Sequence, residues 1–374
     1  MQCPACGAIN PENTWQCVCG HYFVTSAKGT RLEQPRVPEA IATEAPAEPA
    51  ATETGGAEWA SRRLSFHGDG GALFGIYIVN LLLSVLTLGV YYFWGKVKVR
   101  QYLYSQSEFA GDRFAFHGTG KELFIGWSKA FLGVVVFIGV MIGIQSVWEG
   151  PTGETLSTLF FYGSLLILVP VVVVGSRRYR LSRTSWRGIR FSFRGRTKEL
   201  IRIFARDAIL TGITFGIYYP WLLTNMRKFL SSHSYFGNTS FDYDGDGGDL
   251  FGIHLVGGLL TMLTFGLYWF WFTAEKQRYY WQHTSFGTAR LNSTITGGKL
   301  LELKVVNWFL LIVSLGLAYP WVWVRETEFL FAHLSVEGPL DLAGIQQEAQ
   351  SASATGEGMA EFLETDFLDF DLGI

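Results

Sequence analysis

The stretch RRLSFHG, residues 62–68, puts Leu64 and Phe66 on one face of an extended chain and Arg63 and Ser65 on the other. It returns as DRFAFHG (112–118), IRFSFRG (189–195) and TSFDYDG (239–245). Alternation of this kind reads as a short strand with an aromatic or aliphatic face. Strands this short are not stable alone, so the pieces are expected to join in one small sheet, provided all lie on the same side of whatever surrounds the chain. The surroundings are decided by the long apolar run that comes after each piece.

Apolar residues make up 49% of the 374 residues, aromatics 16% and charged residues only 17%. Runs at Leu73–Trp94, Phe131–Trp148, Leu156–Ser176, Leu250–Phe272 and Val305–Val324 meet or approach the roughly 20 apolar residues that span a bilayer. A soluble enzyme with this pattern would be unusual. The net charge of −2 says little about partners, because charge is segregated along the chain.

The strand pieces open a repeat, with units starting near residues 66, 116, 193, 243 and 295. Four units contain a [TS]-x-G joint followed by a tryptophan: Gly89 and Trp94, Gly216 and Trp221, Gly266 and Trp271, Gly316 and Trp321. Glycine breaks or bends a helix, and a tryptophan ending an apolar run suits the membrane–water interface. In the remaining unit two long apolar arms flank the acidic loop WEGPTGETLS. The nine basic residues of Arg177–Lys198 place that segment in the cytoplasm. The charges agree if the four glycine-jointed units are shallow hairpins returning to the cytoplasm and only the second unit crosses; six ordinary spans are the simple alternative. The expected fold class is an integral membrane protein, mainly α-helical, with repeated membrane hairpins and short cytoplasmic β-strands.

Outside this body (62–340) lie three further regions. Residues 1–23 hold all four cysteines, Cys3, Cys6, Cys17 and Cys19, as C-x₂-C and C-x-C pairs. Two such pairs suit tetrahedral Zn²⁺, although the second is short and His21 could replace one sulfur. A zinc ribbon is expected, with no disulfides and a cytoplasmic N-terminus. MQCPACG has neither a basic n-region nor an apolar core, so no cleavable signal peptide is expected. Residues 24–61 read as a disordered Ala/Pro/Glu linker, and residues 341–374 as an acidic tail that could dock on the basic loop.

Asn80, Asp207 and Asn307 each stand seven residues before a joint. They read either as hydrogen bonds that fix hairpin packing or as the lining of a small-solute path. His233, His283 and His333 form another column, better explained by capping than by a metal. The aspartates of HGDGG (67–71) and DGDGG (244–248) read as helix starts; no phosphate loop or complete Ca²⁺ loop follows them. The basic, aromatic run 177–198 is wedged between apolar segments and is assigned to anionic headgroups, so no nucleic acid is expected. No nucleophile–base pair or cofactor fingerprint stands out, and no enzyme is expected.

The repeated FHGxGxELF and TLGxYxFW motifs, with the Arg/Tyr-rich stretch after them, resemble the YjgN family, also called domain of unknown function 898, over about residues 62–340. The head is similar to zinc ribbons fused to many bacterial membrane proteins. The resemblance implies a bacterial inner-membrane protein with several membrane segments, and no activity or catalytic residue. The expected role is a non-catalytic scaffold or adaptor that meets the lipid bilayer and catches a protein partner through ribbon or tail. The alternative is a channel or transporter lined by the Asn80, Asp207, Asn307 column.

Overall fold

The structure, a computed structural model, describes residues 61–340, 342 and 344–347. The ribbon cysteines Cys3, Cys6, Cys17 and Cys19, the linker to residue 60 and most of the acidic tail lie outside the described residues.

Five β–α–α–β units follow one another. The first is β1 (Arg62–Phe66), α1 (Gly70–Leu86), α2 (Tyr92–Gln106) and β2 (Ser107–Phe109). The second is β3 (Asp112–Phe116), α3 (Gly120–Val147), α4 (Pro151–Arg183) and β4 (Thr184–Trp186). The third is β5 (Ile189–Phe193), α5 (Thr197–Ile213), α6 (Tyr219–Ser232) and β6 (Ser234–Phe236). The fourth is β7 (Thr239–Tyr243), α7 (Gly247–Leu263), α8 (Trp269–Gln282) and β8 (Thr284–Phe286). The fifth is β9 (Ala289–Ser293), α9 (Gly297–Val313), α10 (Tyr319–Ala332) and β10 (Leu334–Glu337).

Every strand pairs antiparallel with its neighbours in sequence, and β10 returns to β1 through Arg62↔Val336 and Arg63↔Ser335. The result is a closed ten-stranded barrel. Closure removes the exposed edges that strands of three to five residues could not protect. Consecutive units are joined by two-residue turns. Ala110–Gly111 and Arg187–Gly188 have positive φ at both positions, and Gly237 and Gly287 have it at the first. These are the type I′ and II′ conditions, whose twist matches that of the flanking strands. Turns therefore gather at one rim and helical hairpins at the other.

This overturns the expected fold class. The described body is not a helical membrane bundle with strands as accessories; the strands close the barrel on which all five hairpins are mounted. Among the described residues only α3 and α4 are long and apolar enough to cross a membrane. The physical reason is the joint. Leu73–Trp94, Leu250–Phe272 and Val305–Val324 are each a helix, a reversal and a second helix, so their apolar length is folded in two.

The joint has one construction in four units. Leu88, Phe215, Phe265 and Leu315 adopt left-handed φ of 50–51°, and the following glycines φ of 87–91°. Gly89 N–H donates to Ser84 O at 2.7 Å, closing the last turn of α1. Thr87 Oγ1 donates to Leu83 O (2.8 Å) and accepts from Tyr91 N (2.9 Å), so one hydroxyl ties the end of α1 to the chain entering α2. Thr214, Thr264 and Ser314 repeat both bonds.

Candidate functional site

The barrel's side-chain alternation brings one residue of every strand to its axis. The registers Leu64↔Phe109, Phe114↔Trp186, Phe191↔Phe236, Phe241↔Phe286 and Leu291↔Val336 form five apolar cross-strand pairs. They enclose a cavity of about 260 Å³. Ring contacts run from Phe109 to Trp186 (5.5 Å), Trp186 to Phe236 (5.4 Å) and Phe236 to Phe286 (6.2 Å). Past β10 the chain crosses the turn-side mouth, and Leu340, Leu342 and Ile345 pack against the aromatic tier. Thr288 Oγ1 donates to Pro339 O at 2.6 Å, and Arg190 N–H donates to Gln347 Oε1.

Toward the helices the lining changes character. Two more cavities, of about 180 and 250 Å³, share Arg177, Leu181 and Phe191 as walls. Phe191, Phe241, Trp281 and Leu291 separate the smaller from the aromatic cavity. Arg177 directs Nε and Nη2 to Ser234 Oγ, both at 3.4 Å. Arg227 is 3% exposed and lies over the rings of Tyr280 (4.3 Å) and Tyr243 (5.3 Å). Burial pulls its guanidinium down to about 10, against the pull of the two phenols. Burial pushes the Tyr243 phenol up, so it stays protonated beneath the cation. The hydroxyls of Ser231, Ser234 and Thr284 complete the smaller cavity, and Arg180 and Thr184 line the larger. Among the described residues no Asp or Glu lines any of the three. The axis thus carries an apolar tier above a cationic, hydroxyl-rich one.

Motif reading does not single out these arginines, yet the sequence holds a signal for them. Arg177 and Arg227 each stand seven residues before the strand that ends their unit, as do Arg100, Gln277 and Thr327.

The sequence-derived columns sit elsewhere. Asn80 Nδ2 donates to Gly95 O (3.2 Å), Asn225 Nδ2 to Asp207 Oδ2 (2.8 Å) and Asn307 Nδ2 to Glu326 Oε1 (3.1 Å). Each bond joins the two helices of one hairpin, and the three polar groups are not brought together. In the fourth unit Gly257 meets the ring of Phe272 instead. Trp94, Trp221, Trp271 and Trp321 lie against Gly120, Gly247, Gly297 and Gly70, so each covers the helix start of the next unit and the last closes the ring. His233 and His333 point Nδ1 at Phe229 O and Phe329 O, while His283 Nδ1 meets Asp244 Oδ1 at 2.7 Å. Among the described residues no three His, Cys, Asp or Glu side chains converge as a metal site. Asp69 and Asp246 cap α1 and α7 through Ala72 N (2.7 Å) and Gly248 N (2.6 Å).

The architecture defines a class: a barrel of five β–α–α–β units whose helical hairpins all leave one rim. Residues 61–246, 239–291 and 272–362 match the family described as bacterial protein of unknown function (DUF898), and the chain belongs to that family. It is 35% identical over 130 residues to a protein named inner membrane protein YjgN of Salmonella typhimurium, covering 35% of this chain and 31% of that one. It is 33% identical over 133 residues to the protein of that name from Escherichia coli O157:H7 and 32% identical to that from strain K12, in each case covering 36% of this chain and 31% of the relative. The chain thus spans about a third of the length of these curated relatives. No solved structure matches.

Proposed function

We propose that the chain is a non-catalytic scaffold or adaptor of the bacterial inner membrane. The α3–α4 hairpin crosses the bilayer, and the barrel stands on the cytoplasmic side as a rigid base. One observation carries this reading. The tip residues Leu88, Phe215, Phe265 and Leu315 are 92–101% exposed. Each is a bulky apolar side chain held in a left-handed conformation that costs on the order of 1–3 kcal/mol. Among the described residues nothing covers them to offset that cost, whereas hydrocarbon would. From Asn80 to the joint at Thr87 is about 10 Å of helix, so the short hairpins do not span. Their tips rest within one leaflet of a core roughly 30 Å thick, while α3 and α4, about 42 and 50 Å long, cross it. Arg187, Arg190 and Arg194 on the barrel side agree with a cytoplasmic placement, and the names of the relatives support the membrane assignment.

In this reading residues 1–23 form a ribbon holding Zn²⁺ on Cys3, Cys6, Cys17 and Cys19, and ribbon and acidic tail recruit a protein partner. The membrane placement is tested by depth. In a full-length variant whose four native cysteines are serine, a single cysteine at 88, 215, 265 or 315 carries an environment-sensitive fluorophore. Quenching by acyl-chain doxyl lipid, with little quenching by aqueous iodide, is expected at all four; the reverse pattern refutes the placement. For the head, one zinc per chain by elemental analysis is expected, and it should vanish in the Cys3→Ser/Cys6→Ser variant. Metal-free wild-type protein refutes that assignment.

A further inference from the structure

The three axial cavities meet along shared walls, and their lining is sorted by height. The tier near the turns is wholly apolar, built largely from Phe and Trp rings. The tier near the helices presents the guanidiniums of Arg177 and Arg227 with the hydroxyls of Ser234 and Thr284. Arg227 is nearly inaccessible to solvent and Arg177 is half-buried. Bringing two cations together in a low-dielectric interior is costly unless an anion joins them. Among the described residues no carboxylate lines the cavities. Barrel stability alone does not call for this charge, since the same repeat position is Gln277 in the fourth unit and Thr327 in the fifth.

We propose that this chamber binds an anionic amphiphile, with its apolar chain among the aromatic rings of the barrel and its carboxylate or phosphate head on Arg177 and Arg227. Guanidinium groups suit both heads, because their fork of donors matches two oxygens. The aromatic cavity of about 260 Å³ takes one chain of moderate length, not the two chains of a diacyl lipid. Binding of this kind is independent of where the hairpin tips lie.

The test uses the full-length protein in amphipol and equilibrium dialysis with radiolabelled dodecanoate. Dodecyl phosphate should compete as well as dodecanoate does. Dodecanol, which lacks the charge, and inorganic phosphate, which lacks the chain, should compete at least tenfold more weakly. Arg177→Gln and Arg227→Gln use a residue that the fourth unit already carries at this position. Each should weaken dodecanoate at least tenfold and leave dodecanol unchanged. Phe236→Ala enlarges the apolar tier and should move the preferred chain length upward. Lipid extraction followed by mass spectrometry then separates the sources: a fatty acid or a single-chain phospholipid supports the proposal, and neutral lipid alone overturns it. Equal competition by dodecanol, equal competition by inorganic phosphate, or unchanged dodecanoate affinity in both folded arginine variants also overturns it. Should those variants not fold, the comparison of dodecanoate, dodecanol and phosphate on the native chain decides alone.

Discussion

Replacing Gly297 by Ala and, separately, its neighbour Gly298 by Ala should move stability in opposite directions. A Cβ on Gly297 would stand 2.4 Å from Trp271 Cγ and 2.6 Å from Trp271 Cα. The second distance matters more, because a backbone atom cannot swing aside as a ring can. Relief requires α8 and α9 to separate, and overpacking of this kind costs about 1–3 kcal/mol. A Cβ on Gly298 meets nothing within 4 Å. There the substitution only restricts the unfolded chain and favours the helix, a gain of up to about 1 kcal/mol. The two variants should therefore differ by about 2–4 kcal/mol. In urea titrations in mild detergent followed by tryptophan fluorescence, that is a midpoint separation of about 1 M. The third unit suggests the rescue: Thr197 takes the glycine's place there, and Val171 of α4 takes the tryptophan's. Trp271→Val should accordingly recover much of the Gly297→Ala loss, a coupling that a double-mutant cycle reads directly. A Gly297→Ala midpoint equal to or above that of Gly298→Ala would refute the claim that these tryptophans lock one unit to the next.

Thr264→Ala removes one bond at each side of a joint and should cost about 0.5–2 kcal/mol, whereas Thr264→Ser should be near neutral, because Ser314 already performs both bonds; the urea midpoints of the two variants check this. At Asp244 partial burial pushes the carboxyl up, but the bond to His283 and the charge of Arg290 outweigh it and hold the group below the ordinary aspartate value. A depressed carboxylate contributes stability above its unfolded pKa and loses it as pH falls through the folded one. The melting-temperature gap between wild type and Asp244→Asn should therefore be full at about pH 6 and shrink toward about pH 3, and a gap that widens on acidification would contradict the pairing.

The local devices were legible in the sequence because each is carried by residues close in the chain. Alternation at Leu64 and Phe66 marks β1, and Thr-x-Gly marks a reversal, because a hydroxyl and a glycine are what that reversal uses. Closure was not legible. It depends on β2, β4, β6 and β8, which have three residues each and so hold too little pattern for a period to emerge. It also depends on β10, whose sequence LSVE lacks the aromatic alternation of the other units. Without closure, the length of the apolar runs was the stronger cue, and it favoured a helical membrane body. The basic run Arg177–Lys198 misdirected for a related reason. Read linearly it is one cytoplasmic charge cluster, but the fold parts it: Arg177 lines the axial cavities, while Arg187 sits exposed on a turn and pairs with Asp112. Whether a cation faces lipid, water or a chamber depends on the barrel, which no window of the sequence contains.

The five units also separate what the fold needs from what it does not. The joint hydroxyl and glycine recur in the four short hairpins, and the apolar inward pair recurs in all five units. Each has a structural cause that acts equally on every copy: reversing a helix, or filling a barrel. A packing rule cannot distinguish one unit from another, so a position where the units disagree answers to something else. The axial position is such a place, with Arg100, Arg177 and Arg227 in three consecutive units and Gln277 and Thr327 in the other two. The charge is thereby concentrated on one side of a nearly fivefold barrel. A symmetric ring of arginines would suit a small ion passing along the axis. A one-sided cluster beneath an apolar tier suits a ligand that is itself one-sided, with its charge at one end.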